Sequence, residues 1–85
     1  GLQASDLRLK KDLEEITGAL DIISNITPYK FHMLDDNQTD SKRLGIVAQD
    51  ILPLIPELTF QITSPDSDTP YYGVHYDKLP VLLLA

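Results

Sequence analysis

The chain has 85 residues, with 13 acidic side chains against 7 Lys plus Arg, a formal charge of −6, 42% hydrophobic residues and no cysteine. That length allows one domain burying roughly 60–65% of its extended surface, and the composition excludes disulfide staples and thiolate sites, while two histidines leave a His-based metal site short of ligands. The acidic balance argues against a nucleic-acid partner, which needs clustered Lys and Arg, and no apolar run approaches the ~18–20 residues that span a bilayer, so oligomerisation is the remaining common remedy for so small a core.

In chain order, Leu9, Leu13, Ile16, Leu20 and Ile23 come first, spaced four, three, four, three. This spacing predicts one stripe of an α-helix over about 6–25, a coiled-coil-like seam over about two heptads. Ser5 or Asp6 supplies the N-cap, and Thr27-Pro28 closes the segment. Leu7, Ile22 and Ile26 lie off the stripe, so one face can pack at home while the other meets a partner.

After Pro28 the period changes to two, with Tyr29, Phe31 and Met33 alternating against Lys30, His32 and Leu34, which predicts a strand. Asp35 to Lys42 has no apolar residue and reads as a solvated hairpin tip. Arg43 to Ala48 predicts a second strand, in which Gly45 permits a bulge or a close backbone approach. Gln49 to Ile55 is apolar but hemmed by Pro53 and Pro56, so it has room for a turn or two of helix. Leu58 to Thr63 and Tyr71 to Tyr76 predict two more strands around a turn-rich 64–70, and Asp77 is expected to cap a last helix with Pro80 in its first turn. The apolar end Val81-Leu82-Leu83-Leu84-Ala85 suggests that this helix continues or that another subunit covers it.

For chemistry, the candidate is Ser5-Asp6-Leu7-Arg8-Leu9-Lys10. Taken bare, a Ser before a helix is its cap, and Arg8 and Lys10 are solvated. A serine hydroxyl becomes a nucleophile only with a base in hydrogen-bond reach, and Lys10 can be that base only if burial or cations such as Arg8 and Lys11 destabilise its ammonium. Five helical residues turn roughly 500°, about 140° from the starting face, so Ser5 must sit outside regular helix, in a bent cap, for Lys10 to reach it. Asp6 reads first as a cap and second as an orienter of Lys10 or Arg8. Gln49 reads as a buried hydrogen-bonding residue before a catalyst. His32 and His75 lack a nearby nucleophile or ligand pattern, and Asp35, Asp36 and Asp40 miss the alternation and closing Glu of a calcium loop.

Four segments occur in one order: Ser5-Asp-Leu-Arg-Leu-Lys10, Pro28-Tyr-Lys-Phe31, Arg43-Leu-Gly-Ile-Val-Ala-Gln49 leading to Ile55-Pro-Glu57, and Val74-His-Tyr-Asp-Lys-Leu79. Together they resemble the intramolecular chaperone and auto-processing domain, of the peptidase S74 type, found at the C-termini of phage tail spikes and fibres, including endosialidases, and inside the eukaryotic myelin regulatory factor. The resemblance implies a homotrimer that brings three copies of an upstream fibre into register and then cuts itself off. It places the cut at the Ala4–Ser5 bond and makes Ser5 the nucleophile and Lys10 its dyad partner, with Asp6, Arg8 and Gln49 as candidate supports. Residues 1–4 would then end the upstream fibre and 5–85 form the processing domain, lacking the family's longer C-terminal helix.

The expected fold is α+β: a long N-terminal helix, a small mainly antiparallel sheet, a short Pro-bounded helix and a C-terminal helix, assembled as a trimer. No cofactor or metal is expected, and the partners are two further copies and the upstream fibre of the same chain, with no nucleic acid or membrane. The phage setting implies action in the host cytoplasm during virion assembly, with the fibre ending in the virion tail. Two rivals are a trimerising module that does not cut and a eukaryotic version that releases a transcription factor from a membrane.

Overall fold

The computed structural model describes residues 3–85. A single 3₁₀ turn at Leu7–Leu9 is followed by helix α1 (Ala19–Ser24), strands β1 (Pro28–Phe31) and β2 (Arg43–Ile46), and the one-turn helix α2 (Ala48–Ile51). A 3₁₀ turn at Pro56–Leu58 then leads into β3 (Thr59–Ile62) and β4 (Tyr71–Val74), and a 3₁₀ helix spans Tyr76–Leu84. The mixture of helix and small antiparallel sheets is the expected α+β class, and the short helix expected within 49–55 lies at Ala48–Ile51, ending before Pro53.

The long N-terminal helix is not there. Only Ala19–Ser24 of the expected 6–25 is α-helical, because Asp12 (φ 54°) and Gly18 (φ 69°) both take left-handed backbone. Glycine adopts that conformation at no steric cost and costs a helix interior about 1 kcal/mol, while Asp tolerates it better than most residues. A two-heptad seam also draws its stability from a packed neighbour, and isolated helices shorter than ~12–15 residues are marginal in water. Leu9, Leu13 and Leu20 are accordingly exposed, whereas Ile23, expected on the seam, turns inward with Ile22 and Ile26 against the chain's own core.

The single sheet is also corrected, to two separate antiparallel ribbons. Pro28 lies opposite Ile46 and Phe31 opposite Arg43 in one; Thr59 lies opposite Val74 and Ile62 opposite Tyr71 in the other. Helix α2 and the donor-less Pro53 and Pro56 stand between β2 and β3, so no ladder runs from one ribbon to the other. Two-stranded ribbons are marginal alone. They are held by a core in which Ile51, Leu58 and Leu82 are buried and Ile46, Ile55, Val74 and Leu79 pack against them.

Two glycines mark close approaches. A Cβ on Gly45 would sit 2.7 Å from Tyr76 Oη and 3.0 Å from Phe31 Cε1, and one on Gly73 would fall within the ring of Phe60. The Gly45 approach exists because the Ile46 N–H donates to Tyr76 Oη at 3.0 Å, which ties β2 to the start of the C-terminal helix. That last helix is 3₁₀ rather than α, and His75 rather than Asp77 precedes it as the cap. Pro80 lies inside it; with no N–H and a ring that crowds the carbonyl four residues back, it disfavours the α spacing.

The molecule is open. Its radius of gyration is 16.1 Å, against roughly 12 Å for a compact chain of this length. The accessible surface is 7586 Å², where a compact monomer of this mass would expose roughly 5,000 Å². None of the described residues before Ala19 is buried.

Candidate functional site

Ser5 and Lys10 are brought together by the turn between them. Asp6 is the N-cap of the Leu7–Leu9 3₁₀ turn, with extended backbone (φ −70°, ψ 134°), and Lys10 leaves the turn extended again (φ −114°, ψ 149°). The turn is closed by Leu9 N–H to the Asp6 carbonyl at 3.0 Å and Lys10 N–H to the Leu7 carbonyl at 3.1 Å. Ser5 and Lys10 therefore lie just outside its two ends, and Lys10 Nζ donates to Ser5 Oγ at 2.8 Å. This is the bent cap that the helical-angle arithmetic required; five residues of regular helix would have pointed the two side chains apart.

Asp6 is engaged throughout by Arg8. Its Oδ1 accepts from the Arg8 backbone N–H at 2.9 Å and from Arg8 Nε at 3.1 Å, and its Oδ2 accepts from Arg8 Nη2 at 2.9 Å. These bonds, the side-chain ones first, hold the Asp6 carboxyl below the usual carboxylate range and raise the Arg8 guanidinium in turn. Asp6 thus serves as cap and as the anchor of Arg8, while Lys10 makes no ion pair among the described residues.

Gln49 lies apart from this group. It is exposed on α2, in a shallow surface hollow with Asn25, Thr27, Tyr29, Asp50, Pro53 and Leu54, so the expectation of a buried hydrogen-bonding residue is corrected. The reason is the shortness of α2, which turns Ala48 and Ile51 inward and leaves Gln49 on the other side. Ala4 is described and exposed; Gly1 and Leu2, also assigned to the upstream fibre, lie outside the described residues.

The acidic tip is built for structure. Asp36 accepts from Met33 N–H at 2.8 Å and takes the fork of Arg43, Nε at 3.0 Å and Nη2 at 2.9 Å, with its own side chain only 12% exposed. His32 Nε2 contacts the Asp40 carbonyl at 2.9 Å, and Asp40 accepts from Asn37 N–H at 3.0 Å. No cluster of three or more His, Cys, Asp or Glu among the described residues is arranged to hold a metal ion. His75 stacks at a tilt on Phe60, ring centroids 4.8 Å apart. No helix is long and apolar enough to cross a membrane among the described residues.

Residues 5–60 match the model of the peptidase S74 family, described as the chaperone of endosialidase. The chain belongs to that family. The match begins at Ser5 itself and takes in the first turn, both strands of the first ribbon and α2. No curated protein and no solved structure matches the chain. Membership gives the domain a chaperone role, and the family carries a peptidase's name.

Proposed function

We propose that this domain trimerises an upstream fibre of the same chain and then releases itself by cutting the Ala4–Ser5 bond with Ser5 and Lys10. The observation that carries the cleavage is the 2.8 Å contact between Lys10 Nζ and Ser5 Oγ beside the family's boundary at Ser5. With Lys10 neutral, the same contact reverses: the hydroxyl donates to the amine, and the oxygen is freed to attack. Oγ adds to the Ala4 carbonyl carbon, the Ala4–Ser5 C–N bond breaks, and the proton taken by Lys10 passes to the leaving α-amine of Ser5. The resulting ester between Ala4 and Ser5 Oγ is hydrolysed by water to the Ala4 carboxylate and the free hydroxyl. The amides of Arg8, Leu9 and Lys10 are already bonded, so a backbone donor to the oxyanion from this turn is Asp6 or Leu7.

Trimerisation is supported by surface. The single chain exposes about 2,500 Å² more than a compact monomer of its mass, well above the ~800 Å² per partner of a standard interface. Much of the excess is apolar: Leu7, Leu9 and Leu20 are 70%, 74% and 80% exposed. An apolar groove of about 380 Å³ lined by Ile23, Ile26, Ile46, Tyr76, Leu79 and Leu83 is also open. Leu7 and Leu9 lie on the same turn as Ser5 and Lys10, so a second copy that covers them also takes water from Lys10 and favours the neutral amine.

The test is a full-length chain followed by denaturing electrophoresis and light scattering. Ser5→Ala and Lys10→Ala should each remain uncut yet trimeric, and Lys10→Arg should be as inactive, because Arg keeps its proton at any usable pH. A Ser5→Ala chain that still cuts at Ala4–Ser5 would reduce Ser5 to its neighbour's role in capping the turn.

A further inference from the structure

We infer that Arg8 is a positioning residue for the self-cleavage, and that it acts by occupying the Asp6 carboxylate so that this carboxylate cannot bind Lys10. The inference rests on the Ser5–Lys10 reading above and names the device that keeps the base available.

Asp6 stands one residue after Ser5 and four before Lys10, and within residues 5–10 it is the only carboxylate. A free carboxylate there would attract the Lys10 ammonium, stabilise its charged form and draw Nζ from Ser5. Arg8 prevents this with three hydrogen bonds that use both Asp6 oxygens, two of them from the guanidinium fork. Among the described residues, Lys10 Nζ is left to Ser5 Oγ alone. Arginine suits the task and lysine does not, since one ammonium cannot span both oxygens while the backbone N–H fills the remaining position. The charged groups of the segment are Asp6, Arg8, Lys10, Lys11 and Asp12, and its hydrogen bonds among the described residues stay within Ser5–Lys10.

The experiment measures the single-turnover cleavage rate of the full-length chain across a range of pH, for wild type, Arg8→Gln, Arg8→Lys, Asp6→Asn/Arg8→Gln and the Lys10→Ala control. Below its midpoint, a base-limited rate falls about tenfold per pH unit. Arg8→Gln should move the midpoint up by about one unit, the effect of a carboxylate newly paired with the base, and slow cleavage about tenfold at neutral pH. Arg8→Lys should fall between. In the double variant Asn keeps the cap but carries no charge, so its midpoint should return toward the wild-type position. An Arg8→Gln profile that is lowered equally at every pH, or a double variant with no return, would overturn the inference and make the ion pair a brace for the turn. Loss of a mere like charge beside Lys10 would also raise the midpoint, but Arg8→Lys keeps that charge and would then stay at the wild-type midpoint, and that outcome too counts against the inference. Cleavage by Lys10→Ala would overturn the dyad reading itself; an inactive Lys10→Ala with an unmoved Arg8→Gln profile would sink only this inference.

Discussion

Residues 3–18 and residues 19–85 are similarly rich in Leu and Ile, yet the structure treats them in opposite ways. In the second region Ile51, Leu58 and Leu82 are sealed in a core with Ile22, Ile23 and Ile26 around them. In the first, Leu7, Leu9, Leu13 and Ile16 all face outward, and the one closed turn holds Ser5 against Lys10. Apolar side chains at seam spacing that find no core in their own chain are the surface that the proposed trimerisation would cover. Ser5 and Lys10 sit on that surface, away from the packed body, so in the proposed function chemistry and assembly share a segment while stability comes from elsewhere.

The comparison breaks first at the core. Ile51→Ala should cost about 2–5 kcal/mol, enough to unfold most of so small a body, and thermal denaturation followed by circular dichroism checks it. Gly73→Ala puts a methyl into the Phe60 ring and should cost about 1–3 kcal/mol by overpacking; a variant as stable as wild type would mean that Phe60 swings aside freely. Tyr76→Phe removes the acceptor of Ile46 N–H and should cost about 0.5–1.5 kcal/mol, visible as faster amide exchange at Ile46.

A smaller effect separates the acidic tip from the body. Arg43 and the Met33 N–H hold the Asp36 carboxyl below its ordinary range. Its contribution is therefore complete above that range and is lost as the pH falls through the lowered value, on the acid side of the usual carboxylate titration. Asp36→Asn should flatten the acid limb of the melting profile at this hairpin, leaving the neutral-pH core unaltered. Smallest for the body is Leu13→Asp, expected to change its stability by less than about 0.5 kcal/mol. The same change should dissociate the trimer in sedimentation, and a trimer that survives it would remove the seam from the account.

What could be read in the sequence follows the range of the forces involved. All four strands and the Pro-bounded helix were legible because period-two patterning and proline act locally. The close approach at Gly45 was legible as well, though its partner Tyr76, thirty-one residues on, was not. The Ser5–Lys10 pairing was legible only through the family resemblance; the turn angle added the condition that the two can meet only if Ser5 lies outside regular helix, in a bent cap. The long helix failed because a four-three stripe looks the same whether or not a neighbour is present to fold it, although Gly18 in its middle was a warning. The Asp36–Arg43 fork closes across a hairpin, and no local pattern announces a pair seven residues apart.

The most direct measurement is the intact mass, with N-terminal sequencing, of the domain released from a full-length chain with its natural upstream residues. The account predicts a trimeric product that begins at Ser5, an upstream part ending at Ala4, and a hydroxylamine-sensitive ester captured between them. A product that begins at any other residue, or a chain that trimerises and stays whole, would contradict it.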